Sequence, residues 1–185
     1  LFQTSKEAVI QSQHKLLHIN FITSTVTEHK ITEGYIMSGL HYSPYIITHV
    51  NDELIFLNDA TFKEIKRISF KNTAYVRCFE KDRTNNIYIG SNKGIFKTDS
   101  TGKILQQWNK ENGLPDECIY AMAFDDEGLL WCSTNKGILK INKDNSILQL
   151  KKEDGLQENE FNTNAVAKAD DGELFFGGVN GVSSF

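Results

Sequence analysis

One short hairpin sequence recurs along this chain at a nearly fixed spacing, and that recurrence limits its possible folds more than any single residue does. The glycines of SNKGIF, TNKGIL and VNGVSS (Gly94, Gly137 and Gly181) lie 43 and 44 residues apart. An aromatic residue, Tyr88, Trp131 or Phe175, stands six positions before each of them. Gly113-Leu114 and Gly155-Leu156 keep nearly the same step, 42 residues apart. Between these markers the chain reads as short apolar runs. Ile119 to Phe124 is apolar on both faces, Asp125-Asp126-Glu127-Gly128 breaks it, Leu129 to Cys132 follows, and Asn135-Lys136-Gly137 turns the chain again. Runs this short, bounded by Gly and Asp or Asn, are strands buried on two faces. Gly128 and Gly137 fall where a tight hairpin needs a residue tolerant of positive φ. A period of 40–44 residues made of four short strands predicts an all-β chain of four-stranded antiparallel β-propeller blades.

Taken in order, the sequence divides into five units. Residues 1–32 read as a partial blade with strands at 7–12, 15–21 and 24–31, lacking its first strand. Residues 33–72 read as a degenerate blade with strands Tyr35 to Leu40, Tyr45 to Val50, Glu53 to Asn58 and Phe62 to Phe70. There the hairpin glycine is replaced by Leu54, and His41-Tyr42-Ser43-Pro44 stands in place of the acidic first turn. Residues 73–115 and 116–158 are the clear blades, and 159–185 is a partial last blade of three strands. Three strands at each end predict an incomplete arc of a larger propeller. Its open apolar faces would then be covered by neighbouring blades or by self-association. The start without Met, in mid-pattern, fits a piece of a longer protein.

Composition narrows the partners. With 20 basic and 24 acidic side chains the formal net charge is −4, which argues against a nucleic-acid partner. No apolar run is long enough to span a membrane, and no signal peptide is visible in LFQTSKEAVIQ. The three cysteines form no CxxC pair, and the five histidines have no regular spacing, so neither a metal site nor a cofactor is expected. Cys78 and Cys132 read as small buried hydrophobes. The acidic turns at Asp125–Glu127 and Asp170–Asp171 lack calcium-loop spacing and read as hairpin turns.

NGLPDECIYAMAFDDEGLLWCSTNKGIL, the preceding IYIGSNKGIF and the closing DGLQENEFNTNAVAKADDGELFFGGVNGVSSF together resemble the two-component regulator propeller repeat. Cys132-Ser133 departs from that family's usual Ile-Gly. The motifs cover residues 74–185 well and 1–73 poorly. The resemblance implies the extracytoplasmic, periplasmic sensor region of a hybrid two-component system. It implies a small ligand, an oligosaccharide or its breakdown product, and a histidine kinase outside this chain. No enzymatic activity is expected of the segment itself. Two alternatives stand beside it: a propeller lyase of the streptogramin-inactivating type, and a protein-binding scaffold. The lyase would need a general base converging on the channel. No histidine lies on an innermost strand or its leading loop in the two clear blades.

Ligands of such propellers gather on the loops that lead into the innermost strands and on the turns joining the second and third strands. Here those are Gly113 to Cys118, Gly155 to Phe161, Lys71 to Thr73, and the turns at Asn92, Asn135 and Asn180. Sugar recognition needs planar hydrogen-bonding groups and aromatic faces. Arg77, Trp108, Glu117, Asn159, Glu160, Asn162 and Asn164 would supply them. The competing reading is that Glu160 and Asn162 only pin their loop. His41 and Tyr42 join the candidates because the repeat does not explain them. Trp131, Tyr88 and Phe175 repeat in every blade and are therefore expected to be core between blades.

Overall fold

The computed structural model describes residues 2–12, 14–31, 36, 38–71 and 75–185. The chain forms two compact units, residues 1–72 and 73–185. Apart from two single 3₁₀ turns, the regular structure among the described residues is antiparallel sheet.

The first unit holds two four-stranded sheets. One has the order β1 (Phe2–Gln3), β2 (Glu7–Ser12), β3 (Lys15–Asn20) and β4 (Thr25–Lys30). The reading of a three-stranded partial blade is corrected by β1, which pairs with Ala8 and Val9. Two residues are too short to show alternation, so only the register reveals the strand. The other sheet has β5 (Gly39–Tyr42), β6 (Tyr45–Val50), β7 (Glu53–Asn58) and β8 (Glu64–Ser69). The expected strand from Tyr35 lies largely outside the described residues. Its outcome at the far end is a correction: His41 and Tyr42 belong to strand β5, opposite Ile46 and Tyr45, and the turn is Ser43-Pro44. The missing hairpin glycine at Leu54 also has an answer. Asn51 takes the positive φ instead, at 55°, a conformation Asn tolerates better than most residues. Phe62, read as the start of the fourth strand, sits in the left-handed region at 57° and precedes β8. Val9, Leu16, Ile46, Ile55 and Leu57, each almost fully buried, close this unit's core.

The second unit carries the clear repeat. Its sheets are β9 (Val76–Lys81), β10 (Ile87–Ser91), β11 (Gly94–Thr98) and β12 (Ile104–Trp108); β13 (Ala121–Phe124), β14 (Leu130–Thr134), β15 (Gly137–Ile141) and β16 (Ile147–Leu150); and β17 (Phe161–Lys168), β18 (Leu174–Gly178) and β19 (Gly181–Ser184). β10, β14 and most of β11 and β15 are buried on both faces, as continuous apolar runs require. Gly94 and Gly137 have φ of 93° and 101°. A Cβ at either would land on a backbone carbonyl of the outermost strand, that of Trp108 or Leu150. The glycine spacing that announced the fold is therefore a double steric demand: positive φ, and no room.

Two cores lie between successive sheets of this unit. Tyr88, Ile95, Trp108, Met122, Leu130, Cys132 and Leu139 fill one. Ala121, Trp131, Ile138, Leu156, Phe161 and Phe176 fill the other. Tyr88 meets Phe124 of the next sheet edge-on at 5.0 Å, and Trp131 meets Phe185 of the next at 4.8 Å. Both are the core residues their repetition predicted. Phe175 is only half-buried, in the unit's last sheet. Backbone hydrogen bonds repeat across the same boundaries: Gly94 donates to Glu117 and Gly137 donates to Asn159, both at 2.9 Å. The acidic turns act as hairpin pins. Asp125 accepts from the Leu129 N–H at 2.8 Å and from Trp131 Nε1 at 2.9 Å.

Candidate functional site

The innermost strands β9, β13 and β17 lie side by side at the centre of the second unit. Arg77 on β9, Tyr120 just before β13 and Thr163 on the bulge of β17 lie 43 residues apart each time. The fold turns that sequence spacing into a cluster. The Arg77 guanidinium carbon sits 5.1 Å from the Tyr75 ring centroid and 4.8 Å from that of Tyr120, within cation–π range of both. Its Nη1 donates to Thr163 Oγ1 at 3.4 Å, a long and weak bond. Its Nε is buried with no hydrogen-bond partner. A buried donor left unsatisfied is uncommon and costly. The Tyr120 hydroxyl donates to Asn135 Oδ1 at 2.9 Å, tying the cluster to the β14–β15 turn. Burial, then the contact with Cys118, pushes the Tyr120 pKa up, so it stays a neutral phenol. The arrangement is a cation held between two aromatic faces with a donor to spare. Chemically it suits a ligand that offers an oxygen acceptor and a flat or ring-shaped body.

The other candidates are dispersed. Glu117 Oε1 accepts from the Lys110 N–H, and Asn159 Oδ1 accepts from the Lys152 N–H, both at 2.9 Å. These two residues, 42 apart, do one repeated job: each holds the first residue of a one-turn 3₁₀ helix, Lys110–Asn112 or Lys152–Asp154, ending in a left-handed Gly113 or Gly155. Glu160 is exposed and holds its loop through its backbone carbonyl, which accepts from Val179 and from Gln157. Asn162 and Asn164 are exposed on a bulge of β17, where pairing skips from Phe161 to Val166 and Asn164 takes a φ of 57°. The Asn164 N–H is held by the Tyr120 carbonyl, which brings that bulge beside the cluster. Trp108 is buried between sheets, stacked on Tyr88 at 6.0 Å, and is not part of the Arg77 cluster. His41 pairs with Asp59 at 3.1 Å at the Pro44 end of its sheet, opposite the Asn51–Asp52 turn. Tyr42 ends β5 beside it.

Tyr75, Tyr120 and Thr163 were not singled out from sequence. The sequence carries no clear signal for them, since neighbouring positions at the same spacing, such as Glu80 and Ala123 or Lys81 and Phe124, differ as much. Among the described residues, no three His, Cys, Asp or Glu side chains gather as metal ligands, and no helix is long and apolar enough to cross a membrane.

Three stacked antiparallel sheets with adjoining innermost strands, paired hairpin glycines and aromatic cores between sheets define a propeller-type protein. Comparison with known proteins makes this specific. Residues 113–136 match the model of the two component regulator propeller family, the stretch that carried the resemblance in sequence. No curated protein matches the chain in sequence. Among solved structures, the extracellular domain of BT4673 from B. thetaiotaomicron, described as a hybrid two component system, is similar with a TM-score of 0.73 at 16% identity, over 97% of this chain and 26% of that one. The corresponding domain of BT3049 gives 0.63 at 14% identity, over 92% of this chain and 30% of that one. Virginiamycin B lyase from Staphylococcus aureus gives 0.70 at 12% identity, over 94% and 63%. At such identities the likeness is one of fold. The chain spans less than a third of either sensor structure.

Proposed function

We propose that this chain is a segment of the extracytoplasmic, periplasmic propeller of a hybrid two-component sensor, and that it binds a small ligand at the Arg77 cluster. The ligand class that fits is an oligosaccharide or its breakdown product, with ring faces for Tyr75 and Tyr120 and oxygens for the guanidinium. The segment is not an enzyme. Binding biases an equilibrium between arrangements of the assembled sensor, and a histidine kinase outside this chain reads the shift. The sheets are blades of a larger ring, completed by neighbouring blades or by a second copy. Support comes from the greater length of the sensor structures and from Val182, exposed by 63% on β19 of the last sheet. The single observation that carries the ligand site is the Arg77 Nε, buried without a partner between two phenol rings.

Native mass spectrometry against an oligosaccharide panel, repeated on Arg77→Lys, tests it. Lysine keeps the charge but loses the planar fork and the Nε donor. Loss of the bound oligosaccharide in Arg77→Lys, with an unchanged unfolding transition, is the expected result. Undiminished binding by that variant would refute the site. The lyase alternative has the weaker footing, because all five histidines lie in residues 1–72 and His41 is already held by Asp59.

A further inference from the structure

A cleft separate from the Arg77 cluster lies between the sheets β9–β12 and β13–β16, with a volume of about 290 Å³. It opens where β9 turns into β10 and β15 into β16, the ends of these sheets opposite Tyr75 and Arg77. Its apolar floor is Tyr88, Trp108, Phe124 and Leu130. Two observations make it more than a gap in packing. First, the Trp108 indole is 6% exposed, and its Nε1 is buried with no hydrogen-bond partner. Trp131, by contrast, donates its Nε1 to Asp125. A buried indole usually has an acceptor. Second, the lining carries two ammonium groups, Lys97 and Lys143, while its one carboxylate, Asp82, is heavily engaged by its own turn. The Asp82 carboxylate already receives Thr84 N and Oγ1 and Asn86 N and Nδ2, all within 2.9 Å. Asn145 Oδ1 accepts from Gln106 at 2.7 Å across the mouth. Lys97 forms an ion pair with Asp82 at 3.6 Å, longer than a direct hydrogen bond, and its ammonium also interacts with the Tyr88 side chain, 5.4 Å from the ring centroid. The Lys143 ammonium makes no ion pair among the described residues.

We propose that this cleft is a second binding site, taking a small organic carboxylate with a single-ring body. The carboxylate oxygens would accept from Trp108 Nε1 and the Lys97 ammonium, and the ring would lie on Tyr88 and Phe124. The volume is at the foot of the ~300–1,000 Å³ range of ligand pockets, so one ring is what it holds. The shared chemistry admits an aromatic acid or a sugar acid. The site is independent of the Arg77 cluster and of the sensor reading.

The chain has only two tryptophans, so a ¹H–¹⁵N spectrum shows two indole signals, assigned with Trp108→Phe. Benzoate and glucuronate are titrated to about 10 mM, enough to fill a site of millimolar Kd. Benzyl alcohol and glucose serve as their neutral counterparts. Movement of the Trp108 signal with a carboxylate, while the Trp131 signal and the neutral counterpart stay inert, is the expected outcome. Response to benzoate alone assigns an aromatic acid, and response to glucuronate alone a sugar acid. Lys97→Met should weaken binding at least tenfold with both indole signals retained, and Arg77→Ala should leave it unchanged. A motionless Trp108 signal with both acids, equal response to the neutral compounds, or wild-type binding by Lys97→Met would each overturn the proposal.

Discussion

Replacing Trp131 by Ala should cost this protein more stability than removing Arg77, Glu117, Asn159, Glu160, Asn162 or Asn164. Trp131 is 8% exposed, meets Phe185 at 4.8 Å, and belongs to a core shared by two sheets. A buried indole removes about 200 Å² from water. At ~25 cal/mol per Å² that is about 5 kcal/mol, reduced by some 10–40% because the unfolded chain already shields part of it. Loss of the 2.9 Å bond to Asp125 adds about 1 kcal/mol. The expectation for Trp131→Ala is therefore about 4–5.5 kcal/mol, at the upper end of the ~3–5 kcal/mol range for such truncations. Trp131→Phe keeps most of the area and loses the bond, so about 1–1.5 kcal/mol is expected. Asp125 would still accept from Leu129. Urea unfolding followed by far-ultraviolet circular dichroism measures both, since the mutation removes one of the two tryptophans and so changes the fluorescence signal itself. If the two units melt separately, the loss belongs to the transition of residues 73–185. A Trp131→Ala protein within about 1 kcal/mol of wild type, with ligand binding gone, would show the indole to be a stacking platform and refute the core assignment.

Gly137→Ala should be severely destabilising, because it adds both left-handed strain and a clash with the Leu150 carbonyl, while Gly128→Ala, with φ of 78° but open space, should cost only about 1 kcal/mol; paired thermal melts compare them. Burial holds the His49 pKa below its ordinary 6.5 despite Asp52, and burial followed by the neighbouring His18 charge does the same to His29. The unfolded chain then binds protons that the folded chain refuses, so this contribution is intact above about pH 6.5 and lost as pH falls below it. The decline of Tm with acidification should be shallower in His49→Gln. Burial pushes the Cys78 and Cys132 thiols up, whereas Cys118 is half-buried. A thiol reagent should label one cysteine quickly in the native protein and three in urea. Sedimentation at several concentrations should show self-association, and a concentration-independent monomer would argue against open blade faces.

The blade hairpins of residues 76–185 were legible in the sequence because a hairpin is a local object. Its length, its turn glycines and its alternation are all set within about ten residues. Trp131 and Tyr88 could be assigned to core by repetition alone, since a residue every blade needs is a residue the fold needs. Asp125 and Asp126 likewise declared themselves turn residues by their place between two apolar runs. The first sheet was harder: β1 has two residues and no pattern of its own, and pairing with β2 decides it. Position 41 was misplaced for a similar reason, as only the register with Ile46 shows that the strand continues past Leu40. The candidate site depended most on tertiary structure. Glu117 and Asn159 look like ligand groups until the fold shows each holding a 3₁₀ turn. Arg77, Tyr120 and Thr163 lie 43 residues apart in sequence, and only the stacking of sheets about their innermost strands brings them together. The unsatisfied donors of Arg77 and Trp108 are likewise invisible in sequence. A donor is known to lack a partner only when every neighbour that could accept from it has been placed.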